Sequence, residues 1–467
     1  MQKEDLVQPH SFRDTVSTVS DGGKRKWQYV DKASGKFYAA RQWVAWIYLA
    51  IFFTMPFIKV NGMPFFMINI VEGKFIIFSK IFWPQDFFIF AIAMITFIIS
   101  IILFTIVFGR LFCGWACPQT VFMEFVFRKI EWWIEGTPGQ QRKLNAGGWN
   151  TDKIIKKSTK HIIFFCLSFL IAHTFLAYIL GVDEVVKIIH EPLSEHIALL
   201  AGLLFFSFLF YSVYAFVREI VCTTICPYGR LQGVMFDKDT MQIAYDYKRG
   251  EPRGKMKKAE LRTIGDCIDC KRCVQVCPTG IDIRNGVQMD CVSCSVCIDA
   301  CNEVMKQVGL PKGLIRYASE NEISTGVKFQ ITGRMKAYSI LLFVLVCFMS
   351  FLVITRKTID ADISRSSGQL YQEMPGGRIS NLFTAKVINK TNTDVPIVLK
   401  LETKGGELQI IGGQSLILNK EAISEFSILV VFPEASLQTR NIDIKIGIYA
   451  GTNKIQTVTT KFLGPFI

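Results

Sequence analysis

The sequence predicts a multi-domain membrane protein with five transmembrane α-helices, a cysteine-rich domain inserted before the fifth helix, and a C-terminal immunoglobulin-like β-sandwich. Three observations predict it. Half of the 467 residues are hydrophobic and the mean hydropathy is +0.31, with several uncharged runs near the roughly 20 residues that a bilayer core demands. All 14 cysteines precede residue 348. From about Ile379 onward the apolar pattern changes to the alternation of short strands.

The uncharged runs cover 43–58, 87–109, 162–182, 197–217 and 337–355, and five crossings put the two termini on opposite sides. Basic residues mark the inner segments. The polar start carries Arg13, Lys24, Arg25, Lys26, Lys32, Lys36 and Arg41 and lacks the apolar stretch and cleavage site of a signal peptide. Residues 1–42 are therefore expected to form a cytoplasmic segment, and the first run an uncleaved anchor. Arg128, Lys129, Arg142, Lys143, Lys153, Lys156, Lys157 and Lys160 fill the next inner segment. Between the third and fourth runs, Asp183, Glu184, Glu191 and Glu195 stand with Lys187 as the lone base. The alternation predicts residues 43–217 as four transmembrane helices, 218–336 as cytoplasmic, 337–355 as the fifth helix and 356–467 as outside, which is the periplasm if the host is a Gram-negative bacterium. An apolar stretch at 63–78, interrupted by Glu72, Gly73 and Lys74, reads as an outer hairpin lying on the membrane. The net charge of +14 falls almost wholly before Thr358, interleaved with the apolar runs, which fits topology and contact with lipid rather than a nucleic-acid footprint.

The second run ends in Arg110-Leu-Phe-Cys113-Gly-Trp-Ala-Cys117-Pro118, and the fourth in Arg218-Glu-Ile-Val-Cys222-Thr-Thr-Ile-Cys226-Pro227. Both read C-x3-C-P. Cysteines four apart share one face of a helix, and the following proline discourages helix beyond them. Each pair is therefore expected where a helix leaves the bilayer, and runs one and two with runs three and four look like an internal duplication. Four such sulfurs suit a soft ion, Cu(I) above all; they could equally cycle as dithiol and disulfide, or serve as small buried apolar residues. Cys166 and Cys347, alone inside runs three and five, read as packing residues. His173 is intramembrane, with His161 near the inner surface as its one candidate partner for haem, while His190 and His196 flank a solvated loop.

The inserted domain holds the most specific motif. Cys267-Ile-Asp-Cys270-Lys-Arg-Cys273-Val-Gln-Val-Cys277-Pro278 is C-x2-C-x2-C-x3-C-P, and Cys291-Val-Ser-Cys294-Ser-Val-Cys297-Ile-Asp-Ala-Cys301 repeats the spacing. Three closely spaced thiolates wrap one face of a cubane cluster while the fourth cysteine reaches the other cluster. This predicts a bacterial-ferredoxin-like domain with two 4Fe-4S clusters, one on Cys267, Cys270, Cys273 and Cys301, the other on Cys291, Cys294, Cys297 and Cys277. Structural zinc also takes four thiolates, but eight cysteines in two copies of one spacing argue for iron and sulfide. Asn302 stands where the first copy has Pro278, which removes no ligand.

After the fifth run, apolar stretches at 382–388, 396–399, 423–432, 442–448 and 455–459, with Gly405-Gly406 and Gly412-Gly413 as turns, read as strands by period and propensity. About 90 residues of this kind make a small β-sandwich. It has no cysteine and must hold by its core alone.

Taken together, the two C-x3-C-P motifs, the two ferredoxin motifs, the stretch from Asn302 to Tyr317, the five runs and the β-rich tail resemble the CcoG/FixG (RdxA) family of cytochrome c oxidase accessory proteins, membrane polyferredoxins. The likeness covers nearly the whole chain and is most specific from Cys222 to Tyr317. It implies an inner-membrane protein that assists assembly of the cbb-type haem-copper oxidase as a cupric reductase. Copper would be its substrate or transient ligand, handled by Cys113, Cys117, Cys222 and Cys226, and its partners a cytosolic electron donor and oxidase subunits or copper chaperones. Self-association stays open. Two other functions share these features: a quinol-oxidising conduit like the NapH-type subunits, and a non-enzymatic platform for oxidase assembly.

Overall fold

The computed structural model describes residues 24–70, 73–83, 86–255, 264–366, 368, 370–412, 416–437 and 439–465. Arg13, Glu72 and Gly413, each given a part above, lie outside them. The chain divides into two compact units, one made of the chain up to Phe57 with Phe90–Phe348, the other of Ile58–Ile89 with Met349–Ile467.

The first unit is helical around an inserted cysteine-rich lobe. Among the described residues, four helices are long and apolar enough to cross a membrane: Phe87–Phe108, Thr151–Leu180, Ile197–Val217 and Gly333–Ile354. The first uncharged run is helical as well, but its helix, Lys36–Thr54, is not one of these four. It begins seven residues earlier than the run, and its first turns carry Lys36 and Arg41, the latter fully buried. That end packs within the unit, and the helices that qualify by length and hydropathy are therefore four.

Helix Thr151–Leu180 has 30 residues, about 45 Å at 1.5 Å per residue, against a hydrocarbon core of about 30 Å. The excess is its first turns, where Asn150 caps by accepting from the Lys153 amide at 2.8 Å and where Lys153 and Lys160 are buried. The helical segment after the first C-x3-C-P motif meets Thr151–Leu180 and the turn before the second motif over an aromatic core. Phe127 stacks on Tyr214 at 4.3 Å and meets Phe164 edge-on at 4.8 Å, which locks the first half of the duplication to the second.

The cysteine-rich lobe is closed by a two-stranded ribbon, Gln242–Tyr245 against Ile315–Ala318. The strands bracket the lobe in sequence and bring its ends together. Ile243, Ile281, Ile283, Ile298, Met305, Leu314 and Ile315 form its core together with Cys267, Cys273 and Cys297.

In the second unit the sandwich begins earlier than the alternation suggested, with strand Ile359–Arg365. One antiparallel sheet runs Glu407–Ile410, Ile423–Pro433, Arg378–Asn389, Ile359–Arg365, with Gln372–Met374 beside Arg378–Asn389. The other runs Leu416–Leu418, Val395–Leu401, Asn441–Ala450, Asn453–Leu463. Phe383, Ile428, Val430, Ile444, Ile446 and Phe462, all without exposed surface, fill the space between them. Where a hairpin is expected, the strands Phe66–Asn69, Lys74–Ile77 and Lys80–Phe82 form a three-stranded sheet, which is tied to the sandwich. Lys74 pairs with Glu421, the Asn392 amide donates to the Asn61 carbonyl at 2.6 Å, and Asp86 accepts from Arg356 and, at 2.7 Å, from Lys390.

Candidate metal centres

The two C-x2-C-x2-C repeats take one backbone conformation twice. Asp269 and Lys271 flank Cys270 with φ of 52° and 57°, and Ser293 and Ser295 flank Cys294 with φ of 52° and 64°. Left-handed residues on either side of a cysteine wind successive amides into a concave nest, the backbone form that recurs at iron–sulfur sites. Lys271 and Ser295 then open the helices Arg272–Gln275 and Val296–Gln307. The chain returns so that Cys267, Cys270, Cys273 and Cys301 surround a cavity of about 20 Å³. Cys277, Cys291, Cys294 and Cys297 surround a second of about 20 Å³, and Cys273 lines both.

The residues present fit an iron–sulfur group. The first cavity offers four sulfurs and the second four of its own beside the shared Cys273, and four is the donor set of a 4Fe-4S cluster. Among the described residues no three His, Cys, Asp or Glu side chains stand at the spacing of one shared ion. Burial pushes the thiols of Cys273, Cys291 and Cys301 up to about 12 and that of Cys294 to about 11, so they stay protonated until a metal displaces the proton. Arg284, beside the first cavity, is satisfied by Asp269 and Asp282 at 2.6 Å each.

The C-x3-C-P segments differ from their expected form. Cys113 lies on the short helix Leu111–Trp115, but Cys117 is extended at φ −62°, ψ 128° and caps the next helix, Pro118–Phe122. Cys222 lies in the wide helical turn Val221–Ile225, and Cys226, at φ −68°, ψ 114°, caps Pro227–Met235. The members of a pair therefore do not share one helix face. Proline excludes the helical conformation from the residue before it, which forces the second cysteine of each pair out of the helix and makes proline the first residue of a new one. The duplication extends to the entry turn: Gly109 at φ 57° and Arg218 at φ 56° each stand four residues before the first cysteine.

Both copies fold to one place. Burial raises Cys113 to about 11 and Cys222 to about 12, and each also feels the other thiols of the set: Cys117 and Cys226 for Cys113, and all three for Cys222. The Cys113 thiol donates to Gln232 Oε1 at 3.4 Å. The four sulfurs do not converge at single-ion spacing, so joint coordination requires side-chain rotation.

This cysteine set abuts the second cavity. Cys113 packs with Val276, Val292, Cys294 and Val296. Between Cys113 and Trp115, Gly114 lies so close to the repeat that a Cβ there would be 2.4 Å from the Val292 carbonyl oxygen and 2.8 Å from Cys294 N and Cα. The Trp115 indole donates to Tyr317 Oη at 3.3 Å, and Tyr317 donates on to the Ser293 carbonyl. Arg41 reaches over from the first helix to donate to the Gly114 carbonyl at 2.9 Å.

Around the site runs a buried ionic network that the charge count missed. Arg218 makes a two-pronged pair with Glu131 at 3.0 and 2.8 Å, Arg128 pairs with Glu124 and Glu219, and Lys157 and Lys160 meet Glu135 at 2.9 and 2.6 Å. Arg128, Lys157 and Lys160 entered the orientation argument as free inner charges, whereas carboxylates of the same unit neutralise them. Glu124-x6-Glu131-x3-Glu135 was the available signal, since these spacings keep acids on one helix side. Cys166 and Cys347 are exposed on their helices instead of packed. His161 is bonded to Tyr211 Oη at 2.9 Å and His196 to Glu191 at 2.6 Å.

Three family models match the chain: a 4Fe-4S binding domain over residues 90–136, a 4Fe-4S dicluster domain over 217–320, and the IG-like fold at the C-terminus of FixG over 349–465. Protein RdxB of Cereibacter sphaeroides is 32% identical over 80% of this chain and 82% of its own. Protein RdxA of the same organism is 30% identical over 82% and 83%. Nitrogen fixation protein FixG of Rhizobium meliloti is 33% identical over 66% of this chain and 60% of its own.

Proposed function

The chain belongs to the CcoG/FixG family, with FixG, RdxA and RdxB, as an iron–sulfur electron-transfer protein, and from that premise we propose that it reduces Cu(II) to Cu(I) for assembly of a cbb-type cytochrome c oxidase. The observation that carries this reading is the backbone contact between Gly114, inside one C-x3-C-P motif, and the loop of Val292 and Cys294. Soft metal ligands and a redox group are adjacent.

In this reading Cys267, Cys270, Cys273 and Cys301 hold one 4Fe-4S cluster, and Cys277, Cys291, Cys294 and Cys297 the other. Bound there, the clusters supply one-electron chemistry at potentials that the surroundings set. Copper is the substrate. Cys113, Cys117, Cys222 and Cys226 receive Cu(II), which takes up one electron and remains as Cu(I), the ion that thiolate prefers. Thiols that bind it release their protons. The chain crosses the bacterial inner membrane five times, with the cysteine-rich lobe cytoplasmic, facing a cytosolic donor, and the sandwich periplasmic, where oxidase subunits or copper chaperones dock.

The test is anaerobic, on the full chain. Serine at Cys113, Cys117, Cys222 and Cys226 abolishes copper reduction while iron content and cluster absorbance stay unchanged; undiminished reduction refutes the assignment. A second reading has its own support. The 4Fe-4S binding-domain match over 90–136 takes in Cys113 and Cys117, so these four cysteines would hold a third cluster. About eight irons per chain favour copper and about twelve the third cluster, at four irons per cluster.

A further inference from the structure

Arg41 and Arg110 are 0% and 3% exposed, yet among the described residues neither forms an ion pair. The other buried arginines of the same unit, Arg128 and Arg218, each face glutamates. A buried charge left without a counter-charge is strongly unfavourable. An unpaired buried cation therefore points to an anion that belongs beside it.

The surroundings say which anion. Arg110 donates through Nε to Gln232 Oε1 at 3.1 Å and through Nη1 to the Met289 carbonyl, both neutral. Gln232 Oε1 also accepts from the Cys113 thiol at 3.4 Å, so the guanidinium and that sulfur meet on one oxygen. Gly229 leaves the guanidinium room, since a Cβ there would stand 2.4 Å from Arg110 Nη2. Arg41 donates through Nε to the Gly114 carbonyl at 2.9 Å, its Nη2 has no hydrogen-bond partner, and the Gly114 backbone that it holds abuts Cys294. Both cations thus border sulfur, and neutral thiols offer them no countercharge. Metallation does: two thiols that take up one Cu(I) release two protons and leave a complex of charge −1, and the cysteines of an iron–sulfur site likewise bind as thiolates.

We propose that Arg41 and Arg110 are the built-in counter-charges of the metal-loaded cysteine sites, Arg110 for the C-x3-C-P set and Arg41 for the group held by Cys294 and its companions. Both are positioning residues that touch no metal. The Arg110 half rests on the copper reading above, and the Arg41 half on the iron–sulfur sites alone.

The experiment uses the full chain in detergent under anaerobic conditions, as wild type, Arg110→Met, Arg110→Lys and Arg41→Met. Cu(I) affinity is read by competition with a chromogenic chelator, and cluster reduction by EPR-monitored redox titration. Arg110→Met holds Cu(I) at least tenfold more weakly, about 1.4 kcal/mol, and Arg110→Lys, which keeps the charge, stays within threefold of wild type. Arg41→Met shifts one cluster's reduction equilibrium at least tenfold toward the oxidised form, 59 mV for one electron, at unchanged iron content. Wild-type Cu(I) affinity in Arg110→Met overturns the Arg110 assignment. Should that variant fail to accumulate, Arg110→Lys decides: affinity within threefold supports the charge, and a tenfold loss shows that the planar fork mattered instead. A wild-type chain that retains no Cu(I) sinks the copper reading itself, while the Arg41→Met titration still decides the other half. Unchanged potentials in Arg41→Met overturn that half.

Discussion

Substituting Gly114 by alanine tests the junction between the C-x3-C-P segment and the dicluster lobe. The added Cβ would lie 2.4 Å from the Val292 carbonyl oxygen and 2.8 Å from two backbone atoms of Cys294. Main chain cannot rotate aside as a side chain can, so the repeat must retreat by about 1 Å to reach ordinary contact at 3.4 Å. Overpacking of this kind costs about 1–3 kcal/mol, which changes the equilibrium for local opening by a factor of roughly ten. Amide hydrogen exchange reads such opening directly. Exchange across 291–297 is expected to run about tenfold faster in Gly114→Ala than in wild type, with copper reduction diminished. Gly148→Ala, where a Cβ meets nothing within 4 Å, is the control. Unchanged exchange over 291–297 in Gly114→Ala would show that the close approach is not real and would remove the observation on which the proposed function stands.

Two other perturbations reach the rest of the molecule. Burial alone would raise the Glu131 carboxyl, but Arg218 foremost, with Lys160 and Arg128, holds it at about 2 against an ordinary 4.5. A depressed carboxyl contributes stability that is complete above its unfolded value, so the pair's contribution is lost as pH falls from about 4.5 toward 2. Glu131→Gln, which leaves Arg218 buried with one fewer counter-charge, lowers stability by about 3–5 kcal/mol near neutrality; its thermal midpoint converges with that of wild type below pH 4, and a constant gap across that range contradicts the pairing. In the sandwich, Phe383→Ala removes a ring with no exposed surface and costs about 3–5 kcal/mol. Limited proteolysis of the full chain should then cut within 359–463 while the helical unit stays intact.

What the sequence made legible was whatever repeats with a fixed period. Cysteine spacing grouped the sulfurs that line each cavity, and alternation located the strands at 382–388 and 423–432 inside Arg378–Asn389 and Ile423–Pro433. Strands lacking a long alternation, such as Gln372–Met374 and Leu416–Leu418, gave no such signal; three residues are too few to show a period. Helix Lys36–Thr54 was misjudged at its start because Arg41 looked like an inner-surface charge, whereas it is consumed by a contact with Gly114, 73 residues away. Arg128 and Lys160 likewise meet acids of other segments, Glu219 and Glu135, and the run of acids from Glu124 to Glu135 is the one local sign of it. The C-x3-C-P geometry was different in kind: the proline rule was available, and its consequence for Cys117 and Cys226 outweighed the four-residue helical spacing.

The segment before and within the first helix joins parts of the chain made at very different times. The Asp31 amide donates to the Gln275 carbonyl at 3.0 Å and the Asp31 carboxylate meets Arg272, while the Tyr38 amide donates to Asp299 at 2.8 Å, across 261 residues of sequence. A ribosome working at roughly 5–20 residues per second needs about ten seconds to a minute to cover that separation. During that interval three of the four membrane-length helices are synthesised and the cysteines of the lobe emerge one after another. Asp31 and Tyr38, made early, thus find these partners late.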